Sequence, residues 1–289
     1  SSSEASAVAH PRPLVRKLRG IAASDGAGVK LTRVIGSPQL EALDPFLLLD
    51  EFGSDDPEAY IGGFPDHPHR GFETVTIMLA GRMRHRDSKG NEGLLGPGAV
   101  QWMTAGSGLV HSEMPEQEEG LMRGFQLWLN LPARLKMTAP SYQDIPAEAI
   151  PKRELAGGGI LRIIAGEFAG DDGAVALDPE GRPTQPYLLD LRLPPGIEAR
   201  IPLPEGHNAF AYVYEGQALL AEGPELVRSD LAVLGEGDGV KMTGGEAGAS
   251  LLIGAARPLG EPVARYGPFV MNTRAEIIQA VEDFREGRF

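Results

Sequence analysis

Short apolar runs broken by glycine and proline recur along the whole chain. They include Gly28–Ile35, Phe46–Asp50, Thr74–Leu79, Gly124–Asn130, Leu161–Ala165, Tyr187–Leu193, Ala209–Tyr214, Gln217–Leu220 and Ser250–Gly254. Runs of this length, bounded by turn formers, predict β-strands. Many strands at short spacing, without intervening helices, predict an all-β protein of barrels or sandwiches. One helix is expected, at about residues 273–286. There Thr273-Arg-Ala-Glu276 has the form of a capping box, and Ile277, Ile278, Val281 and Phe284 follow at helical spacing. A weaker helical turn is expected around residues 132–136. The proline-rich stretch 138–151 reads as a link between two halves. The expected organisation is a flexible tail over 1–12, a first domain over 13–145, and a second over 146–289 that ends in the helix.

A short internal repeat supports two related halves. His69-x-x-Phe72-x-x-Val75 has a counterpart in His207-x-x-Phe210-x-x-Val213, and Met103-Thr-Ala-Gly106 in Met242-Thr-Gly-Gly245. Aligned on these elements, Glu205 and His207 stand opposite His67 and His69. Ser250 and Leu252 stand opposite His111 and Glu113. A hydroxyl and an aliphatic chain do not replace an imidazole and a carboxylate as metal donors. A single metal site, in the first half, is therefore expected.

Composition then narrows the picture. There are 38 glycines and 24 prolines, scattered between the apolar runs and not pooled; average usage is about 12% for the two together, so this is turn punctuation. There are no cysteines, which removes disulfides, thiolate metal sites and cysteine nucleophiles. The formal net charge of −13 argues against direct nucleic-acid binding. Arg12–Arg19 is the one clear basic cluster and reads as a solvated strand or loop edge. No apolar run of about 18 residues marks a membrane span, and no secretory leader is visible. A cytoplasmic location is the expectation.

Candidate chemistry concentrates in two histidine pairs. Three of the six histidines fall in His67-Pro-His69 and His111-Ser-Glu113. In a strand, residues i and i+2 share a face, so each pair projects two donors to one side. Two such strands facing each other would gather three imidazoles and one carboxylate, a set suited to a divalent first-row metal. That donor set accepts Fe, Mn, Ni, Cu or Zn. Along a regular strand Glu73 shares the face of His67 and His69. It is a candidate ligand, general base, or partner that orients an imidazole, with the last favoured over direct ligation. Gly106-Ser-Gly108 lacks the lysine and helix of a phosphate loop and reads as a turn. His10, His85 and His207 have no companions at ligand spacing.

The motifs around these pairs resemble a known family. His67-Pro-His-Arg-Gly-Phe-Glu-Thr-Val-Thr76 resembles the first signature of the pirin family, within the cupin superfamily. Gln101 to Pro115 is similar to the second signature, and Tyr266-Gly-Pro-Phe-Val-Met-Asn-Thr273 to a C-terminal one. The resemblance implies two cupin β-barrels packed face to face, a metal-free second barrel, and one metal, Fe(II) first among the candidates, on His67, His69, His111 and Glu113. It further implies a dioxygenase of quercetin 2,3-dioxygenase type, acting with O₂ on flavonol-like or other chelating substrates. Glu113 or Glu73 would take the substrate hydroxyl proton, and Phe52 and Phe125 are the candidate contacts for flat rings. The alternative is a metal- or redox-sensing regulatory protein that binds protein partners without turnover.

Overall fold

The expected strands form, and several run longer than the apolar runs that signal them. The computed structural model describes residues 8–289. In chain order come β1 (Leu14–Arg19), β2 (Ile21–Asp25), β3 (Val29–Ile35), β4 (Phe46–Ser54), β5 (Phe64–His69) and β6 (Phe72–Ala80). They are followed by β7 (Met83–Asp87), β8 (Glu92–Leu95), β9 (Val100–Thr104), β10 (Leu109–Pro115), β11 (Met122–Asn130) and β12 (Ser141–Ile145). Next are β13 (Lys152–Glu154), β14 (Ile160–Ala165), β15 (Glu167–Phe168), β16 (Asp171–Asp172), β17 (Tyr187–Leu193) and β18 (Glu198–Pro202). The remainder are β19 (Asn208–Leu220), β20 (Glu225–Val227), β21 (Asp230–Leu234), β22 (Gly239–Ala256), β23 (Ala264–Tyr266), β24 (Phe269–Met271) and helix α1 (Arg274–Arg285). The helical turn expected near 132–136 is a single 3₁₀ turn, Ala133–Leu135.

Two units hold these elements, and neither is one continuous stretch. The first barrel comprises residues 21–147 and 259–289; the second comprises 8–20 and 148–258. This differs from the linear division expected at 145/146. Strand β1 joins the second barrel by pairing with β21, and β23, β24 and α1 join the first. The expected flexible tail is also revised. Residues 1–7 lie outside the described residues, but Val8 is buried. The Arg12 guanidinium donates to the carbonyls of His207, Gly235 and Pro204 at 2.8, 3.0 and 2.6 Å. Arg12 is thus a buried anchor, while Arg16, Lys17 and Arg19 form the exposed basic edge that was expected. The link predicted over 138–151 is partly a strand, because β12 pairs with β9 at the sheet edge.

Both barrels share one antiparallel plan. In the first, a sheet ordered β12-β9-β6-β11-β4-β3-β2 accompanies a sheet ordered β5-β10-β7-β8. In the second, β1-β21-β19-β22-β17-β14-β13 repeats the large sheet, and β18 on β22 and β20 on β19 repeat the small one. Two long strands, β19 and β22, serve both arrangements. These are two β-barrels of one plan, as the family resemblance implies.

Strand pairing also corrects the residue-level repeat. Aligning Gly106-x-Gly108 with Gly235-x-Gly237 places β9 on β21, and β6 on the first part of β19. Glu73 then matches Phe210, since each pairs with the residue two before the first of these glycines. Thr76 accordingly matches Val213. The short His-x-x-Phe match is out of step with the sheets. The duplication is real, but its register is set by backbone pairing, which a motif of three residues does not capture.

The segment after residue 259 is held to the first barrel by a few polar contacts. Lys136 is fully buried, and its ammonium donates to Gly71 O, Asn130 Oδ1 and Val270 O at 2.9, 2.6 and 2.9 Å. Burial pulls its pKa from 10.5 down to about 8. Gly71 sits at φ +96°, and a Cβ there would meet Val270 O at 2.0 Å, so only glycine admits this close approach. Arg70 pairs with Asp283 of α1 at 2.8 Å and donates to Ser107 O at 2.6 Å. Thr273 caps α1 as predicted. The docked face differs from the predicted one. Ala280 and Asp283 are buried, whereas Ile278 and Phe284 are 50% and 41% exposed. An ion pair, and not a purely apolar stripe, fixes the helix. Replacing Lys136 with Met removes the charged donor shared by the Gly71 and Val270 carbonyls and leaves Asn130 Oδ1 with Leu131 N–H alone, so urea unfolding is expected to show a loss of about 3 kcal/mol. An unchanged midpoint and slope would show that Lys136 does not hold the segment.

Candidate metal centre

Pairing of β5 with β10 builds the centre. His111 lies directly opposite His67 across the two strands, and Leu109 lies opposite His69. The i, i+2 spacing then turns all three imidazoles inward. Their donor atoms lie within 4.8 Å of one another, and His69 Nε2 is 3.1 Å from His111 Nε2. Two donors bound at right angles to one ion, each at about 2.1 Å, stand about 3 Å apart. His67 Nδ1 donates to Pro65 O at 2.8 Å, which leaves Nε2 as the lone-pair atom facing the cluster. His69 is wedged edge-on against Phe72 and Trp128.

Electrostatics keeps two of these imidazoles, His69 and His111, neutral. Burial, then repulsion from the neighbouring histidines, pushes His69 and His111 well below 6.5. Neutral imidazoles are the form that binds metals. Glu113 lies beside them, with Oε1 3.9 Å from His111 Nε2. Burial raises its pKa, and the histidines and hydrogen bonds oppose that rise. The site therefore favours an added cation, which would stabilise the carboxylate and meet converging lone pairs. Among the described residues, these three histidines are the one cluster spaced to hold an ion.

A row of polar side chains supports Glu113. Arg33, Asp50, Gln126, Thr76, Gln101 and Asp144 lie opposite one another in register across β3, β4, β11, β6, β9 and β12. Gln126 Nε2 donates to both Glu113 oxygens at 2.9 Å and to Thr76 Oγ1 at 2.7 Å. Thr76 Oγ1 donates to Glu113 Oε2 at 3.0 Å. Arg33 grips Asp50 through two bonds of 2.9 and 2.8 Å. Gln101 and His85 both bond Asp144, so His85 is a buried, partnered histidine. The sequence reading missed Thr76, Gln126 and Asp50 as site residues. The available signal was a polar residue inside otherwise apolar strand runs.

Two expectations fail because of strand parity. Glu73 accepts from Trp102 Nε1 at 3.0 Å and Thr104 Oγ1 at 2.7 Å. It is three residues from Thr76 on β6, so it points to the opposite face from Glu113. The regular strand assumed from 67 to 73 is broken at Arg70–Gly71, between β5 and β6. Phe125 is fully buried on the face of β11 opposite to Gln126 and Trp128. Phe52, by contrast, lines the cavity that opens from the histidines.

That cavity has a volume of about 590 Å³. His67, His69 and Glu113 stand at one end, and Leu31, Leu48, Phe52, Phe64 and Trp128 supply apolar walls. Arg33 and Asp50 line it too, as do Arg265, Gly267 and Pro268 from the returning C-terminal segment.

In the second barrel the matching positions carry none of this chemistry. The glycine alignment puts Val240 and Met242 where His111 and Glu113 stand, and the pairing of Ile201 with Val240 puts Ile201 and Leu203 at His67 and His69. Leu161, Leu191, Leu251 and Val213 replace Arg33, Asp50, Gln126 and Thr76. All eight belong to one buried apolar cluster. The residues expected at these positions from the repeat, Glu205, His207, Ser250 and Leu252, are therefore not the equivalents. No imidazole or carboxylate stands at the matching positions.

Residues 28–129 match the Pirin family and residues 188–289 match the Pirin C-terminal cupin domain. A Pseudomonas aeruginosa protein named "Putative quercetin 2,3-dioxygenase" is 55% identical, covering 93% of this chain and 94% of its own. Human pirin is 43% identical, covering 92% and 89%. A crystal structure of quercetin 2,3-dioxygenase from Acinetobacter baumannii superposes with a TM-score of 0.88 at 35% identity, covering 96% and 98%. By sequence along both domains and by fold, this chain belongs to the pirin family of two-barrel cupins.

Proposed function

We propose that the first barrel binds one divalent metal, Fe(II) in the cell, through His67, His69, His111 and Glu113, and that the protein is a dioxygenase of quercetin 2,3-dioxygenase type. The convergence of three imidazoles and Glu113 beside a large, apolar-walled cavity carries this reading. The names of the relatives in Pseudomonas aeruginosa and Acinetobacter baumannii support it. A flavonol, or another substrate with adjacent oxygens, is the proposed partner of O₂. The proposed setting is the cytoplasm; no helix among the described residues is long and apolar enough to cross a membrane.

The bound metal would act as a Lewis acid and redox centre for the chelating substrate and O₂. The chain's own residues do the rest. Glu113 is the proton acceptor for the substrate hydroxyl, since it is the cavity-lining carboxylate beside His111 and burial raises its basicity. Gln126 and Thr76 fix its orientation. Leu48, Phe52 and Trp128 exclude water and present flat apolar surface. Glu73 has no direct part, because it bonds Trp102 and Thr104 on the other face.

Iron reconstitution under anaerobic conditions, followed by quercetin loss and O₂ uptake on admission of air, tests the activity. Metal-dependent consumption of both is expected. Absence of turnover with flavonols and catechols would leave the sensing role, with protein partners, as the surviving reading. His111→Ala is expected to abolish both metal binding and turnover; turnover that survives it would place the chemistry elsewhere. Gln126→Leu is expected to weaken metal affinity about 10- to 100-fold, as loss of a ligand-orienting partner does, with the fold retained. Unchanged affinity, measured by competition with a chelator, would remove Gln126 from the site.

The histidine shifts fix a sign for pH dependence. In the unfolded chain His69 and His111 titrate near 6.5, and in the folded protein well below that. Below pH 6.5 the unfolded state takes up protons that the folded state refuses, so these two groups lower stability as pH falls. In metal-free protein the fall in Tm below pH 6.5 is expected to be shallower in His69→Gln than in the wild type. Equal slopes would mean that His69 is not held neutral.

A further inference from the structure

The cavity has two chemically distinct ends, and the proposed metal explains only one. Away from the histidines, Arg265 lies with its guanidinium carbon 5.2 Å from the centre of the Trp128 ring. The ring's other neighbours are Phe72, with its centroid at 4.6 Å, and His69, edge-on at 5.4 Å. Trp128 thus stands as a flat platform between the metal end and a cation.

The two cavity arginines differ in how they are paired. Arg33 is saturated, with two bonds to Asp50 and a third, of 3.3 Å, to Asp25. Arg265 spends one N–H on Leu47 O at 3.0 Å. No carboxylate among the described residues lies within ion-pair distance of it. Asp66 also lines the cavity, next to His67 at the metal end. Burial, and repulsion from Arg33, lower the Arg265 pKa, with Asp50 only partly opposing. A planar guanidinium with free donors, stacked on an aromatic face at the rim of an apolar cavity, matches a planar anion such as a carboxylate.

We propose that Arg265 forms an anion subsite, and that the cavity takes an aromatic acid: adjacent ring oxygens at the metal end, the ring over Trp128, and a carboxylate on Arg265. This rests on the reading that the histidine end receives the substrate's oxygens. A neutral flavonol fills the same cavity without using the cation, so the acid is the better-matched class. Arg265 is a specificity residue that meets the substrate at a group that does not react. It comes from the segment after residue 259, so the barrel borrows this contact from outside its own contiguous strands.

The test compares 3,4-dihydroxycinnamate with its methyl ester, which has the same ring oxygens but no charge. Binding is read without air, on Zn(II)-loaded protein, by quenching of tryptophan fluorescence. The acid is expected to bind about tenfold more tightly than the ester, as one partly exposed charge-assisted pair provides. The preference is expected to shrink in high salt, to vanish in Arg265→Met, and to survive in part in Arg265→Lys. Equal binding of acid and ester to the wild type overturns the proposal whatever the variants do. So does an acid preference that persists in Arg265→Met. Because no turnover is involved, a failed quercetin assay would sink the dioxygenase reading and leave this ratio standing. Equal binding would sink the anion subsite and leave the metal centre untouched.

Discussion

The centre depends on the antiparallel register of β5 against β10. Opposite residues in such a pair stand close enough for their side chains to meet, and here the opposed residues are His67 and His111. A slip of one residue would turn one strand's donors to the face opposite the other's. Two features guard against that slip. The His-Pro-His sequence restricts the backbone on one side, and β7 pairs with the other edge of β10.

The same register logic, carried across the large sheet, separates the two barrels. One plan of strands is used twice. In the first barrel a polar row crosses the inner face and ends on Glu113. In the second the same positions are Leu, Leu, Leu and Val, packed in a single core. Burying a polar row without partners would be costly, and the first barrel meets that cost through mutual hydrogen bonds and a large cavity. The second barrel is the ordinary solution, a filled apolar interior. The contrast sets the first barrel apart as the one that holds the polar row and the histidine cluster.

The C-terminal segment adds a second layer of organisation. Lys136, Gly71 and the Arg70–Asp283 pair hold it against the first barrel, immediately after His69 in sequence. Anchoring at that point steadies the end of β5. It also brings Arg265 and Pro268 to the cavity wall. Support for the centre and shaping of the cavity are thus two results of one docking.

Much of this was legible in the chain alone. Glycine-punctuated apolar runs determined an all-β fold, and the Thr273 capping box determined where the helix starts. The two i, i+2 pairs determined which side chains could gather at one point, because strand parity over three residues is a local property. The tertiary structure decided what depends on contacts distant in sequence. A break at Arg70–Gly71 turned Glu73 away, and parity along β11 hid Phe125 while exposing Gln126 and Trp128. Backbone pairing, and not the His-x-x-Phe motif, set which residues of the two barrels correspond. The exchange of end segments between the units was invisible for the same reason: which sheet an edge strand joins is decided by the hydrogen bonds and burial on offer elsewhere in the fold.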